Sequence, residues 1–210
     1  MYQPTDVVTS ETQLREILPD QYPSQTGKVI DCIDDHIRLW IEHSPFLTMA
    51  TVSSAGQVDV SPKGDPAGFV KVLDKKTLAV PDRPGNHRFD SFLNIMQTGR
   101  IGLVFLVPNR REVVRVSGTA QVLRDIELRE QLAVNDKVPD FAVLVRVEEA
   151  FYHCGKAVIR SKLWEPETAL PVDGLPSYAA AVKTHAELDD PVEKINELFM
   201  MNEQYRLYDE

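Results

Sequence analysis

The densest chemistry in the chain lies in the run Pro81-Asp82-Arg83-Pro84-Gly85-Asn86-His87-Arg88. It sets two guanidinium forks, an amide and a glycine-loosened backbone directly before an expected helix start. Free backbone N–H groups and the helix dipole favour an anion there. Lys63, in Ser61-Pro62-Lys63-Gly64-Asp65-Pro66, adds a cation at the end of an expected strand, where Pro and Gly leave backbone open to a ligand. Arg115 interrupts an otherwise apolar strand, so it needs an anionic partner or a rim position. Taken singly, each reads as a solvated surface charge. Together, in an acidic chain, they point to a phosphate.

Other reactive side chains are arranged less productively. His36, His43, His87, His153 and His185 form no His-x-x-x-His pair, and no carboxylate joins them at ligand spacing, so no metal site is expected. His153 and Cys154 are adjacent, and neighbouring side chains diverge on a strand or helix, so they do not read as a nucleophile and its base. Asp34-Asp35 and Asp189-Asp190 read as helix caps or solvated faces. Cys32 and Cys154 lack Cys-x-x-Cys spacing, and reduced thiols are expected.

The elements that would position these groups follow from hydrophobic period. Ser10 with Gln13 fits a capping box opening a short helix before Pro19. Val29, Ile30, Ile33, Ile37, Trp40 and Ile41 recur at helical spacing over residues 27–42, and Pro45 ends that run. Residues 46–52 and 58–62 read as a hairpin around Ser54-Ala55-Gly56-Gln57, and residues 68–72 and 77–80 as two further short strands. Phe89, Phe92, Leu93 and Met96 give one helical face that Gly99 stops. Strands follow over residues 101–107, 112–123 and 141–147, with Gly118 marking a bulge or a close backbone approach, and a short helix lies near 126–133. The remainder reads as mainly helical. Six or seven short strands between residues 46 and 148 with few crossover helices favour a mostly antiparallel barrel.

Composition narrows the function class. With 210 residues, 43% apolar, the chain can bury a full core. Its 23 Lys plus Arg against 32 Asp plus Glu give a net charge of −9, which repels phosphate backbones and anionic lipid. No apolar run reaches membrane-helix length, and Met1-Tyr2-Gln3-Pro4-Thr5-Asp6 lacks the basic start of a signal peptide, so a soluble, cytoplasmic protein is expected. Neither Gly-x-Gly-x-x-Gly nor Gly-x-x-x-x-Gly-Lys-Ser/Thr occurs, which disfavours a Rossmann or P-loop site.

Four segments in order, the hairpin through Ser61-Pro62-Lys63-Gly64, the run from Asp82 to Arg88 leading to Asn94-Ile95, Arg115-Val116-Ser117-Gly118-Thr119-Ala120, and Cys154 through Trp164, resemble the pyridoxamine 5′-phosphate oxidase-like superfamily of FMN-binding split barrels. The resemblance covers roughly residues 44–164 and leaves 1–43 and 165–210 as helical extensions of one globular domain. It implies a mostly β, six-stranded antiparallel split β-barrel, paired as a homodimer with FMN in the clefts between subunits. It also implies residue roles: Ser61, Pro62, Lys63 and Gly64 against the flavin ring and ribityl chain, Arg83, Asn86 and Arg88 around the phosphate, and Arg115 approaching from the long strand. Arg160, Lys162 and Trp164 would complete the site from the partner subunit. The ending Gln204-Tyr205-Arg206-Leu207-Tyr208-Asp209-Glu210 departs from the substrate-phosphate region of the vitamin B6 oxidases, so the substrate stays open.

Two functions follow as expectations. In one, the chain is an FMN-dependent oxidoreductase acting by hydride transfer on a small organic molecule, with Lys63 a candidate donor near the flavin's N1 and C2 oxygen. In the other, the same cleft stores or senses a flavin without turnover, or takes a deazaflavin or haem, with His87 or His153 as a lone axial candidate.

Overall fold

The computed structural model describes residues 1–209. Its sheet is built from β1 (Phe46–Val52), β2 (Val58–Gly64), β3 (Lys71–Asp74), β4 (Thr77–Pro81), β5 (Arg100–Leu106), β6 (Val113–Leu123) and β7 (Ala142–His153). All neighbours are antiparallel, in the order β2-β1-β5-β6-β7-β4-β3. The fold is therefore mostly β with seven strands, one more than the six that the resemblance implies. The additional strand is the four-residue β3, an edge that pairs only with β4.

The sheet is open but rolled. β2 and β4 stand five places apart, which would separate them by roughly 24 Å in a flat sheet. Yet Asp65, directly after β2, touches Arg83, two residues after β4, with Nε to Oδ2 at 2.6 Å. One core cluster fills the curl, including Leu47, Met49, Leu78, Val80, Leu103, Phe105, Val114, Val116, Val143 and Val145. On β1, β5 and β6 these residues alternate with exposed or half-buried ones, as a sheet with one apolar face requires. β4 instead is buried from Leu78 to Pro81, because Ala79 packs with Leu132 and Ala142 in a second small cluster.

Two helices cover this core. In α3 (Asp35–His43), the Asp34 carboxylate accepts from the Ile37 N–H at 2.8 Å, and Ile37, Trp40 and Ile41 are buried. The helix expected over residues 27–42 is thus half as long. Ile30 exchanges two backbone hydrogen bonds with Ala150, at 3.0 and 2.7 Å, which draws the preceding segment out as an extended bridge to β7. Ile30 and Ile33 still join the core, but Val29 does not. In α4 (Asp90–Thr98), Phe92 and Ile95 are buried, and Asn94 Nδ2 donates to Thr51 Oγ1 at 3.1 Å inside the core. Gly99, at φ +65°, ends α4 in the left-handed region that favours glycine.

Gly118 is a point of close approach. A Cβ there would lie 1.9 Å from the Arg146 carbonyl oxygen, where the β6–β7 register shifts. The extra residue is on β7, where Glu148 is passed over between Val147 and Glu149.

Short helices complete the chain: α1 (Glu11–Arg15), with its Ser10 and Gln13 capping box formed, α2 (Pro23–Gly27), α5 (Ile126–Gln131), α6 (Lys156–Ser161), α7 (Tyr178–His185) and α8 (Val192–Tyr205). Among the described residues no helix is long and apolar enough to cross a membrane.

Candidate functional site

Rolling the sheet brings the end of β2 against the loop after β4. Between them opens a cleft of about 350 Å³, lined on one side by Asp59 to Lys63 and on the other by residues of the loop and the first turn of α4. Six of the sequence-derived candidates meet there: Ser61, Pro62, Lys63, Arg83, Asn86 and Arg88. Gly64 follows Lys63 at the end of β2 but does not line the cleft.

The cations differ in what they are free to do. Arg83 donates from Nε to Asp65 and from Nη2 to the Leu132 carbonyl at 2.8 Å, and its side chain is 15% exposed. Arg88 donates from Nε to Asp90 Oδ2 at 2.6 Å, and that hydrogen bond raises the guanidinium's pKa further. Each arginine keeps Nη donors beyond these bonds. Lys63 is half-buried, and its ammonium makes no hydrogen bond or ion pair among the described residues. The lining also carries Asp59, Asp82 and Asp90, so the cleft is not a bare basic patch. Asp59 accepts from Ser91 Oγ at 2.6 Å, and its charge also acts on the Arg88 guanidinium.

The loop ends in an unusual helix entry. Phe89 caps α4 in the left-handed region at φ +57°, with no side chain bonded to the first-turn N–H groups. His87 is also left-handed, at φ +55°. Asp90, Ser91 and Phe92, the first three residues of α4, all line the cleft, so the uncapped amides and the positive end of the dipole lie at its wall. Asn86 spends its side-chain oxygen on the Arg88 N–H at 3.1 Å, which tightens the turn. β2 is a sheet edge, so one row of its backbone groups has no strand partner.

The other candidates do not join this cleft within one chain. Arg115 is exposed on the outer face of β6 with its guanidinium 5.1 Å from the Phe151 ring centroid, which answers the question of what offsets its charge on a strand. Arg160 lies on α6, Lys162 caps it, and Trp164 donates from Nε1 to the Arg110 carbonyl at 2.7 Å. None of the three lines the cleft. Cys154 is exposed and Cys32 half-buried. Among the described residues no three His, Cys, Asp or Glu side chains gather where they could hold a metal ion.

Sequence reasoning missed Asp65 and Tyr208. Asp65, buried to 1% side-chain exposure, takes Arg83 on one oxygen and the Tyr208 hydroxyl on the other, at 2.6 Å. That hydrogen bond, together with burial and the carboxylate's charge, raises the Tyr208 pKa. Asp65 stood in the quoted run beside Lys63, where a lone carboxylate among cations was the available signal. Tyr208 had none, because nothing local ties a residue near the chain's end to position 65.

Solved structures are similar to this chain at low identity. HupZ from Group A Streptococcus is 22% identical, with 57% of this chain and 93% of that one covered at a TM-score of 0.48. A putative pyridoxamine 5′-phosphate oxidase from Lactobacillus delbrueckii is 24% identical over 58% and 95%, at 0.46. An FMN-binding protein from Syntrophomonas wolfei is 12% identical over 55% and 86%, at 0.40. No curated protein matches. Residues 33–154, which contain every strand and the whole cleft, match the family described as Pyridoxamine 5′-phosphate oxidase, and the chain belongs to that family.

Proposed function

We propose that the chain is an FMN-binding flavoprotein that acts as an oxidoreductase on a small organic substrate. The observation that carries this reading is the half-buried Lys63 ammonium, without a partner among the described residues, in one cleft with the uncapped first turn of α4. A half-buried cation with no hydrogen bond or ion pair of its own among the described residues, beside helix amides without a side-chain cap, is suited to a phosphate. The donor set fits that end of FMN: Lys63 supplies a point charge, Arg88 and Arg83 their remaining Nη donors, and Asp90 to Phe92 their backbone N–H groups. Ser61 and Pro62, on the open edge of β2, offer backbone to the ring and ribityl chain. FMN, when bound, would supply the hydride and electron chemistry.

The shared site is completed in a homodimer in this reading. Arg115, Arg160, Lys162 and Trp164 stay outside the cleft of their own chain, and a second subunit is the route by which they reach a flavin. Residues 44–164 form the flavin unit and the helical segments 1–43 and 165–210 extend it.

The test is direct. Purified protein is expected to carry a flavin absorption band or to gain one on reconstitution with FMN, and to elute and scatter light as a dimer. A colourless protein that FMN does not reconstitute, or a monomer near 23.7 kDa, overturns the corresponding part. Bound flavin that neither NADH, NADPH nor amines reduce, and that passes no electrons to acceptors, leaves a binding or storage role.

A further inference from the structure

The loop that walls the cleft has a second flank, and the C-terminal segment lies along it. Arg206, Leu207 and Asp209 border Pro84, Gly85 and His87 on that side, while Gly85 and His87 border the cleft on the other. Tyr208 donates its hydroxyl to Asp65 Oδ1 at 2.6 Å, and Asp65 Oδ2 accepts from Arg83 Nε at 2.6 Å. The Arg83 guanidinium lies 5.8 Å from the Tyr208 ring centroid, and Lys137 pairs with Asp209 at 2.6 Å. Both oxygens of a buried carboxylate are thus shared between the loop's first arginine and the chain's end.

The loop needs such support. His87 and Phe89 hold positive φ without being glycine, a conformation that persists only where surrounding contacts over-determine it. Within the loop the Asn86 turn and the Arg88 to Asp90 pair are both exposed, and the His87 and Phe89 rings stack with centroids 6.3 Å apart.

We propose that residues 206–209 are a strap that, through Tyr208 and Asp65, holds Arg83 and the loop in the form that presents the α4 N-terminus to a phosphate. Tyr208 and Asp65 are then positioning residues of the site, acting through Arg83. This rests on the FMN reading above, and its selectivity is for the phosphate, because the strap borders the loop at Pro84, Gly85 and His87 and reaches β2 only past its end, at Asp65.

The experiment titrates full-length wild type, Tyr208→Phe and Tyr208→Ala with FMN and with riboflavin, which lacks the phosphate, by flavin fluorescence. Trypsin cleavage after Arg88 is followed in the ligand-free proteins, and melting temperature checks the fold. Tyr208→Ala is expected to lose about tenfold in FMN affinity, the worth of one hydrogen bond to a charged group, with riboflavin affinity unchanged and Arg88 cut faster. Tyr208→Phe, which keeps the ring over Arg83, falls between the two. Equal FMN affinity and equal trypsin rates in wild type and Tyr208→Ala overturn the strap, as does an equal loss for both flavins. A wild-type protein that binds neither flavin overturns the FMN reading instead, and the strap then stands or falls on the trypsin rate.

Discussion

The β6–β7 ladder and the loop between β4 and α4 are specified in opposite ways. The ladder is eleven residue pairs long, and its alternating apolar residues and a glycine at the one close approach fix it locally. The loop has left-handed residues that are not glycine, and its shape is set from outside, by Asp65, Leu132 and Tyr208. One region obeys local rules and builds the scaffold. The other breaks them beside the cleft, where left-handed non-glycine residues stand next to the half-buried Lys63.

The comparison breaks most visibly at Gly118. Any side chain there meets the Arg146 carbonyl, a backbone atom in the ladder, so Gly118→Ala is expected to cost about 4 kcal/mol or more and yield little folded protein. Soluble expression with a near-native melting curve would show that the ladder gives way as easily as the loop. Arg83 comes next. Its removal strands the Asp65 carboxylate, 1% exposed, and Arg83→Ala is expected to lose about 3 kcal/mol of stability in urea unfolding. Arg88→Ala, whose ion pair with Asp90 is exposed at 70% and 40%, leaves the urea midpoint where it was. Two arginines of one loop, alike in sequence, are thereby separated into one whose ion pair holds the fold and one whose ion pair does not. Lys63→Met sharpens the other half of the contrast: FMN affinity falls about tenfold to a hundredfold while the melting temperature stays unchanged, since no protein partner is lost.

The same contrast explains what the sequence made legible. The existence of seven strands, the α4 stop at Gly99 and the role of Gly118 follow from apolar patterning and glycine placement, which are local properties. The strand expected over residues 68–72 nevertheless lies at Lys71–Asp74, and the one expected over 141–147 runs on to His153. The chemistry of the cleft was legible by residue type, because Lys63, Arg83, Asn86 and Arg88 stood at an expected strand end and helix start, and the rolled sheet joins them. Their partners were not. Asp65 reaches Arg83 across 18 positions and Tyr208 reaches Asp65 across 143, and only the curl of the sheet makes those neighbours. The helix over residues 27–42 misled for a related reason: Ile33 is buried and the half-buried Ile30 packs on the core as the spacing demands, but a bridge to Ala150 and the Asp34 cap hold them outside the helix. Periodicity reports which residues are inside, and here two backbone conformations satisfied it.

The smallest effect separates support from scaffold by pH. The Tyr208 pKa is raised above its ordinary 10.0, chiefly by the hydrogen bond it donates to Asp65 and then by burial. A raised folded-state value means that the phenol form stabilises the folded protein. That contribution is whole below the unfolded-state value near 10 and is lost as pH rises through the folded one. Wild type is therefore expected to exceed Tyr208→Phe by under about 1 kcal/mol in urea unfolding at pH 8, and the difference is expected to close above pH 10. Arg83 carries its charge throughout this window, so the loop's ion pair persists while its outer tie is cut. Trypsin cleavage after Arg88 in wild type should then approach the rate of the variant as the pH is raised, after correction for the protease's own profile. A stability gap that stays constant from pH 8 to pH 11 would place the hydroxyl's contribution elsewhere than on the Asp65 carboxylate.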